Sequence, residues 1–245
     1  MTRYKAIVEY DGTGYFGFQR QVATQVTIQG ELENALSQIT QVQTSIIGAG
    51  RTDAGVHASG QVICFDVDNW RHDASAMQRA MNANLPKAIA VREVEVVSAE
   101  FHPRFDAKRR AYRYTIYNAV VRSPLLRNRV WHLHKPLDVT SMNAACQRLI
   151  GEHDFATFGT PPQGNNTVRA VFLARCEQKG DFITFDIEAT AFLKRMVRSL
   201  VGSLRLVGDG NWTVAQFVSA FEKRERSAAG PSAPPQGLVL ERVDY

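Results

Sequence analysis

The sequence predicts an α+β fold of two ferredoxin-like halves, each with the order β-α-β-β-α-β and a mainly antiparallel sheet. Three observations predict it. Strand-like and helix-like patterns recur in the same order twice along 245 residues. Apolar residues make up 44% of the chain, enough for a core in each half. A basic stretch near residues 104–110 separates the two repeats, giving expected domains of 1–105 and 106–245.

In the first half, Tyr4–Tyr10 reads as a strand. Ile28, Leu32, Ala35, Leu36 and Ile39 fall at helical spacing, with Thr27 as the N-cap. A short strand at Thr44–Ile47 leads into a glycine-rich loop, and Gln61–Val67 is the next strand. Ala74–Ala83 is helical and stops before Pro86; Val91–Val97 closes the half as a strand.

The second half opens with a strand at Tyr112–Tyr117 and a helix at Val139–Ile150, ending at Gly151. Val168–Cys176 and Phe182–Ala189 form a hairpin across Lys179-Gly180-Asp181. Phe192–Val207 is a helix with a broad apolar stripe, flanked by Lys194, Arg198 and Arg205. An extra helix at Val214–Phe221 and a Pro-rich loop at Gly230–Gly237 precede the final strand, Leu238–Val243.

Charge and cysteine usage narrow the class. The net charge is +5, and the basic residues cluster. Between 104 and 129 stand Arg104, Lys108, Arg109, Arg110, Arg113, Arg122, Arg127 and Arg129 against one acid, Asp106. Tyr112, Tyr114 and Tyr117 interleave with them, a combination that suits phosphates and unpaired bases but also a solvated basic face. No run approaches the ~18 apolar residues of a membrane span, and the N-terminus runs straight into a strand, so neither a membrane anchor nor a signal peptide is expected. The three cysteines are an odd number and widely spaced, as in a reducing cytoplasmic setting.

The densest chemistry lies in Gly48-Ala49-Gly50-Arg51-Thr52-Asp53-Ala54-Gly55-Val56-His57-Ala58. It is neither a P-loop nor a dinucleotide fingerprint: no Lys follows Gly55, and Arg51-Thr52-Asp53 follows Gly50. His132 and His134 alternate on a strand without the companions of a zinc site, so no metal is expected. No Gly-x-Ser-x-Gly occurs. Two roles fit Asp53. It is a turn residue capping its own backbone, or a carboxylate kept ionised in a closed pocket by a nearby cation. Arg51 in the same loop and the flanking cations of the Phe192–Val207 helix are candidates for that cation.

Taken together, these segments resemble the TruA family of tRNA pseudouridine synthases. The resemblance rests on Tyr10-Asp11-Gly12-Thr13-Gly14-Tyr15-Phe16-Gly17-Phe18-Gln19-Arg20-Gln21, on Thr27–Glu33, and above all on Gly50–Ala58, which matches the family's catalytic signature. Phe101-His102-Pro103-Arg104-Phe105, Tyr112-Arg113-Tyr114, Gly151–Phe155, Phe192–Arg198 and Ala233–Leu238 match further motifs. Pro103, Gly230-Pro231-Ser232 and residues 159–166 depart from the family pattern.

The resemblance implies the pseudouridine synthase fold, with the two halves joined around a central catalytic cleft. It implies conversion of uridine to pseudouridine at positions 38, 39 and 40 of the tRNA anticodon stem-loop, with no cofactor and no metal. Asp53 would be the nucleophile, and Arg198 would pair with it. Tyr112 would stack on the target uracil, and Arg51 would assist base flipping. Arg104, Arg109, Arg110 and Lys194 would join Tyr112 in holding the RNA. The family works in the cytoplasm as a homodimer. The alternatives are an RNA-binding or tRNA-chaperone module of the same fold, and a synthase acting on another RNA.

Overall fold

The structure is a computed structural model that describes residues 1–22, 24–68 and 70–245. It divides into two compact units, Met1–Lys108 with Val239–Tyr245, and Arg109–Leu238.

The first unit begins with β1 (Thr2–Tyr10), whose alternate residues Tyr4, Ala6, Val8 and Tyr10 are buried. Helix α1 (Ile28–Thr40) starts where the Thr27 hydroxyl accepts from the Gly30 amide at 3.2 Å. Its inward face, Ile28, Leu32, Ala35 and Leu36, carries the apolar periodicity of the sequence. Strands β2 (Ile46–Gly48) and β3 (His57–Val67) follow, then α2 (Ala74–Asn84), capped by Asp73, and β4 (Ile89–Val97). The sheet runs β4-β1-β3-β2 with antiparallel neighbours throughout. Buried Glu33 of α1 ties the helix to the start of β2, its Oε1 accepting from the Ile46 amide at 3.0 Å.

The second unit holds β5 (Arg109–Asn118), β6 (Trp131–Leu133), α3 (Val139–Cys146), β7 (Gly151–Asp154), β8 (Val168–Lys179), β9 (Phe182–Ala189), α4 (Met196–Gly208) and α5 (Val214–Glu222). Strands β5, β9, β8 and β7 are antiparallel in that order, and β6 lies parallel to β5. Its core combines the buried faces of β5 and β9 (Tyr114, Ile116, Ile183, Phe185, Ile187) with Leu200, Val201 and Leu204 of α4. Phe155, Phe158, Phe217 and Phe221 form a second cluster, with neighbouring ring centroids 5.1–5.8 Å apart.

The last strand, β10 (Leu238–Asp244), pairs in parallel with β3, Val239 opposite His57 and Leu240 opposite Ala58. Read along the sequence it closes the second repeat; in space it is grouped with the first unit. It can join there because β3 starts at His57, four residues before the strand expected from Gln61. β2 pairs only with the Ile63–Phe65 end of β3, which leaves the His57 end for β10.

Two helices are shorter than their apolar patterns. The segment after Cys146 tightens into a 3₁₀ turn at Gln147–Leu149. Helix α4 begins at Met196, not Phe192. Lys194 is instead an isolated bridge to Thr160, its amide donating to the Thr160 carbonyl at 2.9 Å. Arg195 then takes φ 63°, a left-handed conformation that separates the bridge from the helix. Lys194 therefore lies off the helix that carries Arg198 and Arg205.

Candidate active site

The glycine loop between β2 and β3 is pinned at several backbone points. Its first amide, on Ala49, donates to the Val62 carbonyl at 2.8 Å. The side-chain amide of Gln61, fully buried on β3, donates to the Gly50 carbonyl at 3.1 Å. The Thr52 carbonyl accepts from the Phe18 amide at 3.1 Å, and its hydroxyl lies 2.8 Å from the buried Tyr10 hydroxyl of β1. Burial pushes the Tyr10 phenol up to about 12, so it stays neutral and able to hydrogen-bond. A turn closes behind, the Val56 amide donating to the Asp53 carbonyl at 3.1 Å.

Within this frame Asp53 is half-buried, between buried Thr52 and exposed Ala54. The neighbouring Arg51 side chain is exposed. Gly17 has φ 93°, and a Cβ there would come 2.8 Å from the Thr52 carbonyl oxygen. The approach of the 12–18 segment to the loop therefore depends on that missing Cβ. His57, buried at the start of β3, accepts the Gly12 amide on Nδ1 at 3.0 Å, with Asp11 Oδ1 3.1 Å from the same nitrogen. These contacts give His57 a structural task at the loop's exit.

Arg104 also belongs to the first unit. It sits in a tight turn where the Arg104 and Phe105 amides donate to His102 Nδ1, and its guanidinium lies 5.9 Å from the Phe105 ring centre. Phe105 itself is largely exposed.

In the second unit the expected residues fall on β5, the Lys194 bridge and α4. Tyr112 is half-buried on β5 and meets Phe192 edge-on, ring centres 5.0 Å apart. Arg109 pairs with Glu188 across the sheet at 2.9 Å and lies 4.6 Å from the Phe172 ring centre. Arg110 is buried, with Nη1 donating to the Thr190 carbonyl at 2.6 Å. Lys194 is exposed. Arg198, the third residue of α4, is half-buried; its Nε donates to the Ala233 carbonyl at 2.8 Å. The Pro-rich loop is seated on α4 through Ser203, whose hydroxyl accepts from the Gly230 amide at 2.9 Å, and through the contact of Ser199 with Ser232 at 3.2 Å. A Cβ on Gly202 would land on the Pro231 carbonyl oxygen, so the loop packs flush against the helix.

Sequence reasoning had not singled out Tyr10, Gln61 and Thr52 as supports of the loop, nor the serine-lined seat under Arg198. Gln61 carried a signal: a polar amide opening the apolar run of β3 must find partners when buried. His132 bonds the Ala119 carbonyl at 2.8 Å through Nε2. Among the described residues, no helix is long and apolar enough to cross a membrane.

A family model described as tRNA pseudouridine synthase matches residues 6–106 and 145–245. Curated relatives named tRNA pseudouridine synthase A match along almost the whole chain. That of Pseudothermotoga lettingae is 44% identical over 247 residues, covering 100% of both chains. That of Aeromonas hydrophila is 47% identical over 239 residues, covering 97% of this chain and 88% of its own. That of Thermotoga sp. strain RQ2 is 41% identical, covering 99% of each.

Proposed function

The chain belongs to the tRNA pseudouridine synthase family, and from that premise we propose that Asp53 is the nucleophile of a synthase acting at positions 38, 39 and 40 of the anticodon stem-loop. The protein is an isomerase that converts uridine in tRNA to pseudouridine. The reaction breaks the C1′–N1 bond, turns the uracil and joins C1′ to C5. The C5 proton leaves to solvent and N1 gains one, so the product is an isomer of the substrate.

The observation that carries the reading is the pinned loop. Asp53 is the carboxylate in a segment whose neighbours are fixed on both sides, by Thr52 to Tyr10 and Phe18 and by the turn to Val56. Catalysis by a positioned nucleophile asks for this arrangement. A target base must leave the stack before a side chain can reach it. Arg51, exposed beside Asp53, assists that flipping, and Tyr112 stacks on the extruded uracil. Arg198 pairs with Asp53 and keeps it ionised as water is excluded. Its Nε bond to Ala233 supports the role by fixing the approach of the guanidinium.

Lys194, Arg104, Arg109 and Arg110 hold the RNA, and the Arg110 bond to the Thr190 carbonyl also steadies β5, the strand that carries Arg109 and Tyr112. The enzyme acts in the cytoplasm as a homodimer, with each tRNA contacting both subunits.

Mapping pseudouridine in the RNA of cells with and without the protein tests the assignment of positions. Loss at 38, 39 and 40 of tRNA is expected. Unchanged modification there, with loss at other sites, would overturn it.

A further inference from the structure

Tyr10 is a large residue in the core of the first unit, and a Phe would fill the same space. What the hydroxyl adds is a set of polar contacts directed at one loop. It lies 2.8 Å from Thr52 Oγ1 and 3.5 Å from Gln61 Nε2, and Gln61 in turn donates to the Gly50 carbonyl at 3.1 Å. All three side chains are buried, with exposures of 2% for Tyr10, 7% for Thr52 and 0% for Gln61. Buried polar groups of this kind are held only where their partners satisfy them.

Strand pairing explains how they converge. Along β1 and β3, Val8 faces Gln61 but Tyr10 faces Ala58, so β3 carries one extra residue between them. Such a bulge re-aims side chains and is common beside active sites. Here it lies between the partners of Tyr10 and Gln61, at the end of the sheet where the loop enters β3.

Resting on the reading of Asp53 as nucleophile, we propose that Tyr10 is a positioning residue for it, acting through Thr52 with Gln61 as a second brace. Thr52 is the residue directly before Asp53. Its carbonyl is held by Phe18 and its side chain by Tyr10, so the peptide entering Asp53 has little rotational freedom. Release of one hold lets the carboxylate drift from the reacting carbon, and a displacement near 1 Å is enough to slow a reaction about 100-fold. Substrate contacts at the exposed cations are left alone, so the loss falls on kcat.

The test compares Tyr10→Phe, Thr52→Val, Thr52→Ser and the double variant Tyr10→Phe/Thr52→Val, with Asp53→Asn as reference. Steady-state kinetics on unmodified tRNA and thermal unfolding are measured for each. Tyr10→Phe and Thr52→Val are expected to lower kcat roughly 10–100-fold with KM for tRNA within twofold. Thr52→Ser, which keeps the hydroxyl, recovers most of the rate lost in Thr52→Val. The double variant removes both polar partners together and so regains thermal stability, yet its kcat stays low. A kcat near wild type in the folded double variant, or a recovery of kcat in step with stability, would overturn the positioning role. An Asp53→Asn enzyme that retains turnover would instead overturn the nucleophile on which it rests.

Discussion

Arg198 and Ala233 hold each other reciprocally: Arg198 Nε donates to the Ala233 carbonyl at 2.8 Å, and the Ala233 amide donates to the Arg198 carbonyl at 2.9 Å. A helix residue and a Pro-rich loop are thereby fixed as one body, with the direction of the guanidinium set by its own inner nitrogen. Arg198→Met keeps the stem and loses the charge. It is expected to reduce turnover roughly 100-fold or more, about 3 kcal/mol of transition-state stabilisation. Unfolding free energy falls by only about 1–2 kcal/mol for the lost hydrogen bond. Single-turnover kinetics beside urea unfolding separates the two effects; a normal rate would exclude the pairing with Asp53.

Gly202 tests the same seat from the helix side. A methyl group there meets the Pro231 carbonyl oxygen. Gly202→Ala is expected to destabilise the protein by roughly 1–3 kcal/mol, the usual range for overpacking. It should also lower activity, because the loop that orients Arg198 must move. A melting temperature and a rate both unchanged would show that the seat is slack.

Alkaline pH acts on the first unit. Burial pushes the Tyr10 phenol up to about 12 from an ordinary 10.0, and the Cys64 thiol up to about 11 from 9.0. Both groups stabilise the fold by staying protonated in it. Their contribution is fully present below pH 9, where the unfolded chain is protonated too. It is lost as pH rises toward 12, because the unfolded chain ionises first. At about 1.4 kcal/mol per pKa unit, the full loss is on the order of 3 kcal/mol for each. Urea midpoints taken from pH 8 to 11 should therefore fall, and fall less steeply in Tyr10→Phe.

In the proposed function, exposed Lys194 and half-exposed Arg104 contribute to affinity through phosphates. Arg104→Ala and Lys194→Ala are each expected to weaken tRNA binding and to reduce the slope of log K against log salt by roughly 0.7–0.9. Turnover at saturating tRNA stays near wild type. Filter binding at several salt concentrations measures it, and an unchanged slope would remove that residue from the RNA surface.

Much of this architecture is legible in the sequence, because α1, β1 and β9 bury regular apolar faces that local periodicity reports, and β3 is a nearly continuous buried run. Strands β6 and β7 were missed. They have three and four residues, with no fully buried position, so they leave no period to read. The start of α4 was misread because Phe192 and Leu193 continue the helical stripe by coincidence, whereas Thr160, far away in sequence, captures Lys194 as a bridge. The final strand reads correctly as a strand, but which unit it joins depends on where β2 lets go of β3, and that is a tertiary fact. Asp53 stands out because Gly50–Ala58 matches the family's catalytic signature; on its own, a carboxylate among glycines reads equally as a turn residue. Tyr10 and Thr52 did not, since a tyrosine at a strand end and a threonine in a loop look ordinary until their hydroxyls are seen 2.8 Å apart.

In the proposed function Asp53 performs the chemistry and does not merely shape the loop. Asp53→Asn removes the nucleophilic charge and preserves size and turn-forming ability. The decisive measurement is tritium release from tRNA labelled at uridine C5, beside tRNA affinity for the same variant. Affinity within a fewfold of wild type is expected, with release slowed on the order of a thousandfold or more. Release at the wild-type rate would contradict it.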